Sequence, residues 1–409
     1  MSSAPLAPVQ RRRVFYIPGY DPFHPRRYRE LYRSEGRDQA RLSGYRLDLR
    51  AKSGAGGYGW HVMAQIDGQS VETEVEVLVW SDIVRDSMAT SIPSTYLQLL
   101  RTAWIYISTG ALWRLMRLRK GPVIAALYPV CLLLLQLLLA VGLGSLLATG
   151  IGLLGSGWLI LAGQILVGAA TVALLLRWFK RWDNRLFAYY LMHDYAHSAA
   201  LWGRNAPELE ARMAQFTQTI RAALSACEVD EVLVVGHSSG AHIGVSVLAD
   251  LLHRGLPEEA PALSFLSLGQ VVPMVSFLPR ADRLRRDLRE MSLQTRIPWY
   301  DVTAPGDGCA FALCDPVAVS GVATGDQRWP VVFSAAFTQS LSPARWQALK
   351  RKYFRLHFQY LCAFDAPRDY DYFQITAGPL TLGDRYRTRG HSRSRLAEPV
   401  NSFSSVAPR

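Results

Sequence analysis

Apolar and polar positions alternate along parts of the chain and recur at helical spacing along others. Alternating runs predict eight strands, at residues 14–17, 45–50, 61–66, 72–80, 231–235, 264–268, 299–302 and 331–336. Three- and four-residue spacing predicts helices at 96–118, 181–202, 206–227, 239–253, 281–292 and 343–362. Strands that alternate with helices indicate the α/β class, with a mainly parallel sheet flanked by helices.

One central stretch follows neither pattern. Residues 121–176 contain no Asp, Glu, Lys or Arg. Because one bilayer crossing takes about 20 residues, this stretch predicts two membrane spans, at about 122–146 and 156–177. The glycines between them predict the turn. A stripe of small residues, Ala140, Gly144 and Ala148, would allow the two helices to approach closely.

Basic residues flank both ends of this hairpin: Arg114, Arg117, Arg119 and Lys120 before it, and Arg177, Lys180, Arg181 and Arg185 after it. The positive-inside rule therefore puts both termini in the cytoplasm, and we expect a membrane of the bacterial inner type. Residues 1–120 and 178–387 would then form one domain that the hairpin at 121–177 interrupts. The polar, basic segment 388–409 is expected to be disordered.

Composition limits the classes of partner and cofactor that we expect for this chain. The net charge of +12 suits an anionic membrane surface, and no nucleic-acid motif accompanies the basic runs. The five cysteines lack CxxC spacing, which argues against a disulfide framework or a zinc ribbon. His193 and His197 stand four residues apart on a predicted helix, but without the glutamate of an H-E-x-x-H motif. We therefore expect neither a metal nor an organic cofactor.

The candidate chemistry centres on the sequence VLVVGHSSGAH at 232–242. It contains G-x-S-x-G between an apolar strand and a helix start, which is the pattern of a nucleophile elbow. The sharp turn requires small neighbours, Gly236 and Gly240, and it exposes the hydroxyl of Ser238. The alternative is an ordinary strand–turn–helix that happens to contain a serine.

A serine nucleophile needs a base, and the base needs an orienting acid. Among the downstream histidines, His242 and His253 lie on the helix after the elbow and His391 lies in the tail, which leaves His357. Three acids follow the elbow at a suitable distance. Asp307 is favoured because it lies in a loop just past a strand, while Asp301 and Asp315 stay open as alternatives.

An oxyanion hole needs two backbone N–H groups. One is expected from Ser239, directly after the nucleophile. The other is expected from Tyr20, in the loop Pro18-Gly19-Tyr20 that ends the first strand, where Gly19 permits close backbone approach.

The elbow, the early strand ending in Pro-Gly, and the motif His357-Phe358-Gln359-Tyr360 together resemble the α/β-hydrolases. The late segment is similar to the class 3 (fungal-type) lipases, with an acid in a short loop after a strand and a histidine in an H-x-x-Y context. The resemblance covers 230–362 well and 14–20 loosely. It implies hydrolysis of an acyl ester through an acyl-enzyme. The membrane anchor favours a lipid or another membrane-partitioned ester as the substrate, because anchoring raises the local substrate concentration.

The membrane hairpin and the segment 363–387 depart from the lipase pattern. Two other functions stay open: a membrane scaffold or transport accessory without turnover, and an acyltransferase that uses the same serine. The substrate and the oligomeric state are not specified by the sequence.

Overall fold

A computed structural model describes residues 8–52, 56–88 and 91–407. The strands are β1 Arg11–Ile17, β2 Arg46–Ala51, β3 Gly59–Ile66, β4 Gln69–Val77, β5 Glu231–His237, β6 Ala262–Leu268, β7 Trp299–Thr303 and β8 Val331–Ser334. The helices up to the second apolar helix are α1 Arg26–Ser43, α2 Ser81–Met88, α3 Ile92–Ser108, α4 Ala111–Leu118, α5 Lys120–Gly152 and α6 Trp158–Arg181. The next are α7 Asp183–Leu186, α8 Ala188–Ala199, α9 Pro207–Ala226, α10 Ser239–His253, α11 Val272–Ser276 and α12 Asp282–Leu293. The last are α13 Pro316–Val319, α14 Phe337–Ser340, α15 Pro343–Leu349, α16 Tyr353–His357, a short 3-10 helix Gln359–Leu361, α17 Tyr372–Ala377 and α18 Leu382–Arg385.

The eight strands form one mixed sheet in the order β2-β3-β4-β1-β5-β6-β7-β8. All eight predicted strands are present. The pairs β2–β3 and β3–β4 are antiparallel, and the other five pairs are parallel. The antiparallel edge includes a tight turn at Asp67 and Gly68, both at positive φ (54° and 75°), as the Asp-Gly pair predicts.

Strand β5 lies in the middle of the sheet and is buried on both faces. Leu233 and Val235 belong to one hydrophobic cluster, while Val232 and Val234 belong to the cluster on the opposite face. Alternate side chains of a strand point to opposite faces, so helices cover both sides of the sheet. This double burial makes β5 a rigid base for the turn that follows it.

The apolar stretch forms two long helices, α5 and α6, joined by residues 153–157. Both are long and apolar enough to cross a membrane, and most of their surface is exposed. They pack through the predicted small residues. A Cβ on Gly144 would lie 2.9 Å from the carbonyl oxygen of Gly168, and one on Gly168 would lie 3.6 Å from Cβ of Ala148.

Three predicted helices are interrupted. The 181–202 helix is α7 and α8, separated at Phe187, which has a left-handed φ of 56°. The 96–118 helix is α3 and α4, separated at Gly110, which has a left-handed φ of 69°. The 343–362 helix is α15, α16 and a 3-10 turn, because Lys352 leaves the helical region with ψ of 69°.

The expectation of disorder in 388–409 is wrong for the residues that are described. The backbone N–H of Val332 donates to Nδ1 of His391, and Leu396 pairs with Cys314. The buried guanidinium of Arg285 donates to the backbone oxygen of Ser405. The polar tail is ordered because the domain supplies partners for its backbone.

Candidate active site

Ser238 occupies a sharp turn between β5 and α10. Its φ of 58° and ψ of −121° are sparsely populated by residues with a side chain. Such conformations cost about 1–3 kcal/mol each and persist only where their surroundings hold them. Here the backbone N–H of Ser238 donates to the carbonyl of Leu268 at 2.9 Å, which ties the turn to β6.

The two flanking glycines of the motif are required by close backbone packing. A Cβ on Gly236 would lie 2.6 Å from the carbonyl oxygen of Gly240, and a Cβ on Gly240 would overlap the carbonyl of Ile17. Gly19 approaches the serine itself, since its Cβ would lie 2.9 Å from Cβ of Ser238. The loop after β1 therefore comes this close to Ser238 only because it carries glycine there.

Asp307 and His357 form a buried pair. Oδ2 of Asp307 lies 2.7 Å from Nδ1 of His357 and also accepts from the hydroxyl of Tyr360 at 3.0 Å. Oδ1 accepts from the backbone N–H of Cys309 at 2.9 Å. Burial by itself raises the pKa of Asp307, but the facing imidazole and these hydrogen bonds outweigh it and hold the pKa below its ordinary value.

The other two candidate acids lie away from this pair. Asp301 is fully buried in β7, where it accepts from Ser267 Oγ at 2.6 Å, and burial raises its pKa to about 8. Asp315 caps α13 by accepting from the backbone N–H groups of Val317 and Ala318. Of the three acids, Asp307 is the one that the fold brings to His357.

His357 stands at the end of α16, where the interrupted helix turns it toward Asp307. Because Nδ1 donates to the carboxylate, Nε2 is the nitrogen left to face the pocket. The adjacent His237 supports this geometry. Its Nε2 lies 3.0 Å from the carbonyl oxygen of His357, and the ring centroids are 4.9 Å apart. Burial lowers the pKa of His237 to about 3, so this imidazole stays neutral.

Ser238 and His357 line one pocket of about 90 Å³, together with Gly19, Tyr20 and Ser239. Within the described part of the chain, no hydrogen bond joins the Ser238 hydroxyl to His357. Hydrogen bonds of this kind are commonly long in the absence of substrate and shorten in the reacting complex. The geometry thus brings together the predicted nucleophile, base and acid, and their catalytic roles stay a prediction.

The loop expected to supply an oxyanion donor is held from three sides. Trp80 Nε1 donates to the carbonyl of Pro18 at 2.9 Å, and the hydroxyl of Tyr190 donates to the carbonyl of Tyr20 at 2.5 Å. The hydroxyl of Tyr20 lies 2.6 Å from that of Ser87. Donors fixed before the reaction stabilise developing charge without a reorganisation cost.

The two expected donors themselves are available. Among the described residues, neither the backbone N–H of Tyr20 nor that of Ser239 is bonded to an acceptor in the chain. Ser239 begins α10, where the first N–H groups have no partner within the helix. Both line the pocket that contains Ser238, so their predicted role in an oxyanion hole is compatible with their position.

One group of potential metal ligands occurs among the described residues: Asp307, Cys309 and His357, with ligand atoms within 4.8 Å of one another. Two of these atoms already share the 2.7 Å hydrogen bond. Burial and the nearby carboxylates raise the pKa of the Cys309 thiol well above its ordinary value, so the thiolate that binds metals is disfavoured. The donor set fits a hydrogen-bonded pair better than a metal centre.

The pocket touches the apolar helices. Pro122, in the first turn of α5, lines it. The neighbouring Gly121 packs on the loop of the candidate acid, since a Cβ there would lie 3.1 Å from the carbonyl oxygen of Gly308. Phe354, which also lines the pocket, contacts Phe187 beyond α6 with ring centroids 6.0 Å apart.

Sequence reasoning missed several pocket residues. The contact of Tyr360 with Asp307 could have been inferred from the H-x-x-Y spacing, but the packing of His237 had no sequence signal. Asp194, which stands between His193 and His197 in the sequence, lines this pocket from α8. Burial raises its pKa to about 7, although the nearby His357 acts in the opposite direction.

Comparison of the chain with protein-family models, with curated proteins and with solved structures gives no match.

Proposed function

We propose that this protein is a membrane-anchored serine hydrolase of the α/β-hydrolase type that cleaves an acyl ester. The observation that carries the proposal is the Asp307–His357 pair, which shares one pocket with a serine on a strained strand-to-helix turn. Strain of this kind at a hydroxyl that lines a pocket is typical of reactive sites. The sequence resemblance to lipases adds support that is independent of the distances.

The reaction follows from the placement of the groups. Ser238 Oγ forms a bond to the acyl carbon while Nε2 of His357 takes its proton, and Asp307 stabilises the imidazolium through Nδ1–H. The backbone N–H groups of Tyr20 and Ser239 bind the oxyanion. As the C–O bond breaks, His357 returns the proton to the leaving alcohol. A water molecule then attacks the acyl-enzyme by the same route and releases the acid.

The membrane anchoring rests on α5 and α6. The exposed rings of Trp158 and Trp178 lie near the two ends of α6, 20 residues or about 30 Å apart, which matches the hydrocarbon thickness of a bilayer. The basic residues on both sides of the hairpin favour a cytoplasmic location for the domain that contains the sheet. Because Pro122 lines the pocket from the first turn of α5, a lipid or another ester that partitions into the membrane is the favoured substrate.

Labelling with a fluorophosphonate tests the proposal. The full-length protein in membranes should be labelled, and Ser238→Ala should abolish labelling, because the probe reacts only with an activated serine. Ser225→Ala, at an exposed position on α9, is the matched control and should be labelled like the wild type. Absence of labelling in folded, membrane-bound wild-type protein would refute the hydrolase proposal and favour a scaffold.

A further inference from the structure

The walls of the nucleophile pocket differ in charge from the rest of the protein. The chain carries a net charge of +12, but within its described part neither Lys nor Arg lines this pocket. Two carboxyl groups line it, those of Asp21 and Asp194. Because a cleft lined by one sign of charge concentrates ions of the opposite sign, these walls are suited to a ligand group of positive charge.

The charge of Asp21 is balanced by the chain itself. Its Oδ2 lies 3.0 Å from Nη1 of Arg27 and accepts from the hydroxyl of Tyr28 at 2.5 Å, while Oδ1 accepts from the backbone N–H of Phe23. The same guanidinium lies over the ring of Phe358, 4.9 Å from its centroid. Asp21 therefore needs no charge from a ligand.

Asp194 has no comparable partner. Among the described residues its carboxyl neither accepts a hydrogen bond nor pairs with a cationic side chain, although burial raises its pKa to about 7. The one group that acts in the opposite direction is His357. That imidazole is held by Asp307, and it must be neutral to accept the proton of Ser238. In the resting site, the negative charge of Asp194 is therefore left for a ligand to balance.

Aromatic rings form much of the remaining wall. They come from the loop after β1, from α1, from α8 and from the end of the chain around α16: Tyr20, Tyr28, Tyr190, Tyr195, Phe354 and Phe358. The faces of such rings are negative and attract organic cations, most strongly where water is excluded. An inorganic ion finds no similar set of ligands here, since the group with metal-ligand spacing in the described chain is Asp307, Cys309 and His357.

We infer that the pocket binds an alkylammonium group of the substrate, between Asp194 and the aromatic wall, and that the substrate is therefore a cationic ester. The inference rests on the proposed function, because Ser238 and His357 line the same pocket. Since this pocket measures about 90 Å³, only a few atoms separate the ammonium nitrogen from the scissile carbonyl. The substrate class is thus narrowed from any membrane-partitioned ester to one that carries a positive charge beside the ester bond.

Protection of Ser238 from a fluorophosphonate tests the inference. Tetramethylammonium chloride should slow the labelling of the full-length protein in non-ionic detergent, because the cation occupies the pocket beside the serine. Sodium chloride at the same ionic strength controls for screening, and tert-butanol controls for an uncharged molecule of similar shape. Both should protect much less. Equal protection by either control would overturn the inference, since it would show that no organic cation is recognised.

Variants of two wall residues assign the cation site. Asp194→Asn should raise the tetramethylammonium concentration for half-protection about ten-fold, because one charge is lost from a partly buried site. Asp326→Asn, the same change at an exposed position, should keep the wild-type value. Tyr195→Leu should raise the concentration several-fold, whereas Tyr195→Phe, which retains the ring, should not.

Labelling without the cation reports separately whether the serine is reactive in each variant. Unchanged protection in labelled Asp194→Asn protein would overturn the inference and leave the proposed hydrolase intact. If the wild type is not labelled at all, the proposed function fails and the cation site fails with it.

Discussion

At the scale of single residues, Asp307 is distinguished by the number of groups that stabilise its charge. We expect Asp307→Asn to lower kcat for ethyl octanoate roughly 10³–10⁴-fold, because the amide stabilises neither the productive tautomer nor the imidazolium. Asp301→Asn is the matched control, since that carboxyl faces Ser267 and not His357. Steady-state kinetics of the two variants would show whether Asp307 orients His357. An equal loss in both would mean that Asp307 does not orient the base.

The buried Asp301 should instead affect stability, in a pH-dependent way. Its pKa is raised to about 8 in the folded protein, against about 4 when unfolded. Between pH 4 and 8 the Asp301 carboxyl therefore loses its proton in the unfolded chain but keeps it in the folded protein. The stability that Asp301 contributes to the folded state is lost as the pH rises through this window. The Tm of Asp301→Asn relative to wild type should increase from pH 4 to pH 8.

Asp82→Asn provides a control of opposite sign for those thermal melts. Hydrogen bonding from Arg212 lowers the pKa of Asp82 to about 2. The stability contributed by Asp82 is therefore present above about pH 4 and is lost as the pH falls toward 2. This variant should melt below wild type at pH 5–8, with a gap that closes in acid. Parallel behaviour of the two variants would contradict the assignment of Asp301 as a buried neutral acid.

At the scale of elements, the apolar hairpin offers a matched pair of glycines. Gly144 packs against the backbone of Gly168, whereas a Cβ on Gly142 would meet nothing within 4 Å. Gly144→Val should force α5 and α6 apart and lower the Tm in detergent by several degrees, because backbone there cannot move away. Gly142→Val should leave the Tm within about one degree of wild type or raise it. A reversed order would refute the packing of the hairpin.

Much of the secondary structure could be predicted because it depends on local pattern. The alternation in β5, the Asp-Gly turn and the small-residue stripe of α5 are each encoded within a few positions. The breaks at Gly110 and Lys352 were missed, since the 3.6-residue period continues across both. The order of the tail was missed as well, because its partners, such as Arg285, lie more than 100 residues away in the sequence.

The residues of the candidate site likewise fall into those that a local motif identifies and those that only the fold brings together. Ser238, Gly236 and Gly240 belong to one local motif and were identified together. The choice among Asp301, Asp307 and Asp315 stayed open, because only the fold decides which carboxylate reaches His357. His242 was set aside because it lies on the helix after the elbow, and no sequence pattern indicates that it lines one pocket with Asp194 and Ser198 of α8.

At the scale of the whole molecule, α3 presents its apolar side outward. Leu97, Leu100, Trp104 and Ile107 follow one face and are 52–67% exposed, while the opposite face buries Thr95 and Thr102. The hydroxyl of Tyr96 donates to the carbonyl of Leu133, which joins this helix to α5. An apolar face so close to the proposed membrane helices is expected to lie in the headgroup region of the same bilayer.

Depth measurements in nanodiscs would test that placement. A fluorophore at Trp104→Cys should be quenched by lipids that carry a nitroxide near the headgroup, and one at Gln218→Cys on α9 should not. Leu139→Cys, on the exposed face of α5, reports whether the hairpin itself is in the bilayer. The background from the exposed Cys131 and Cys227 is removed by prior exchange to serine. Quenching at 139 without quenching at 104 would show that α3 lies in water.

The position of β1 at the centre of the sheet has a consequence for biosynthesis. Ile17 pairs with Gly236, and the whole hairpin lies between them in the sequence. When β1–β4 leave the ribosome, one edge of β1 has no partner until both apolar helices and β5 have been translated. Completion of the sheet therefore waits for translation of the whole hairpin, and a chain in which β5 does not reach β1 exposes a strand edge prone to aggregation.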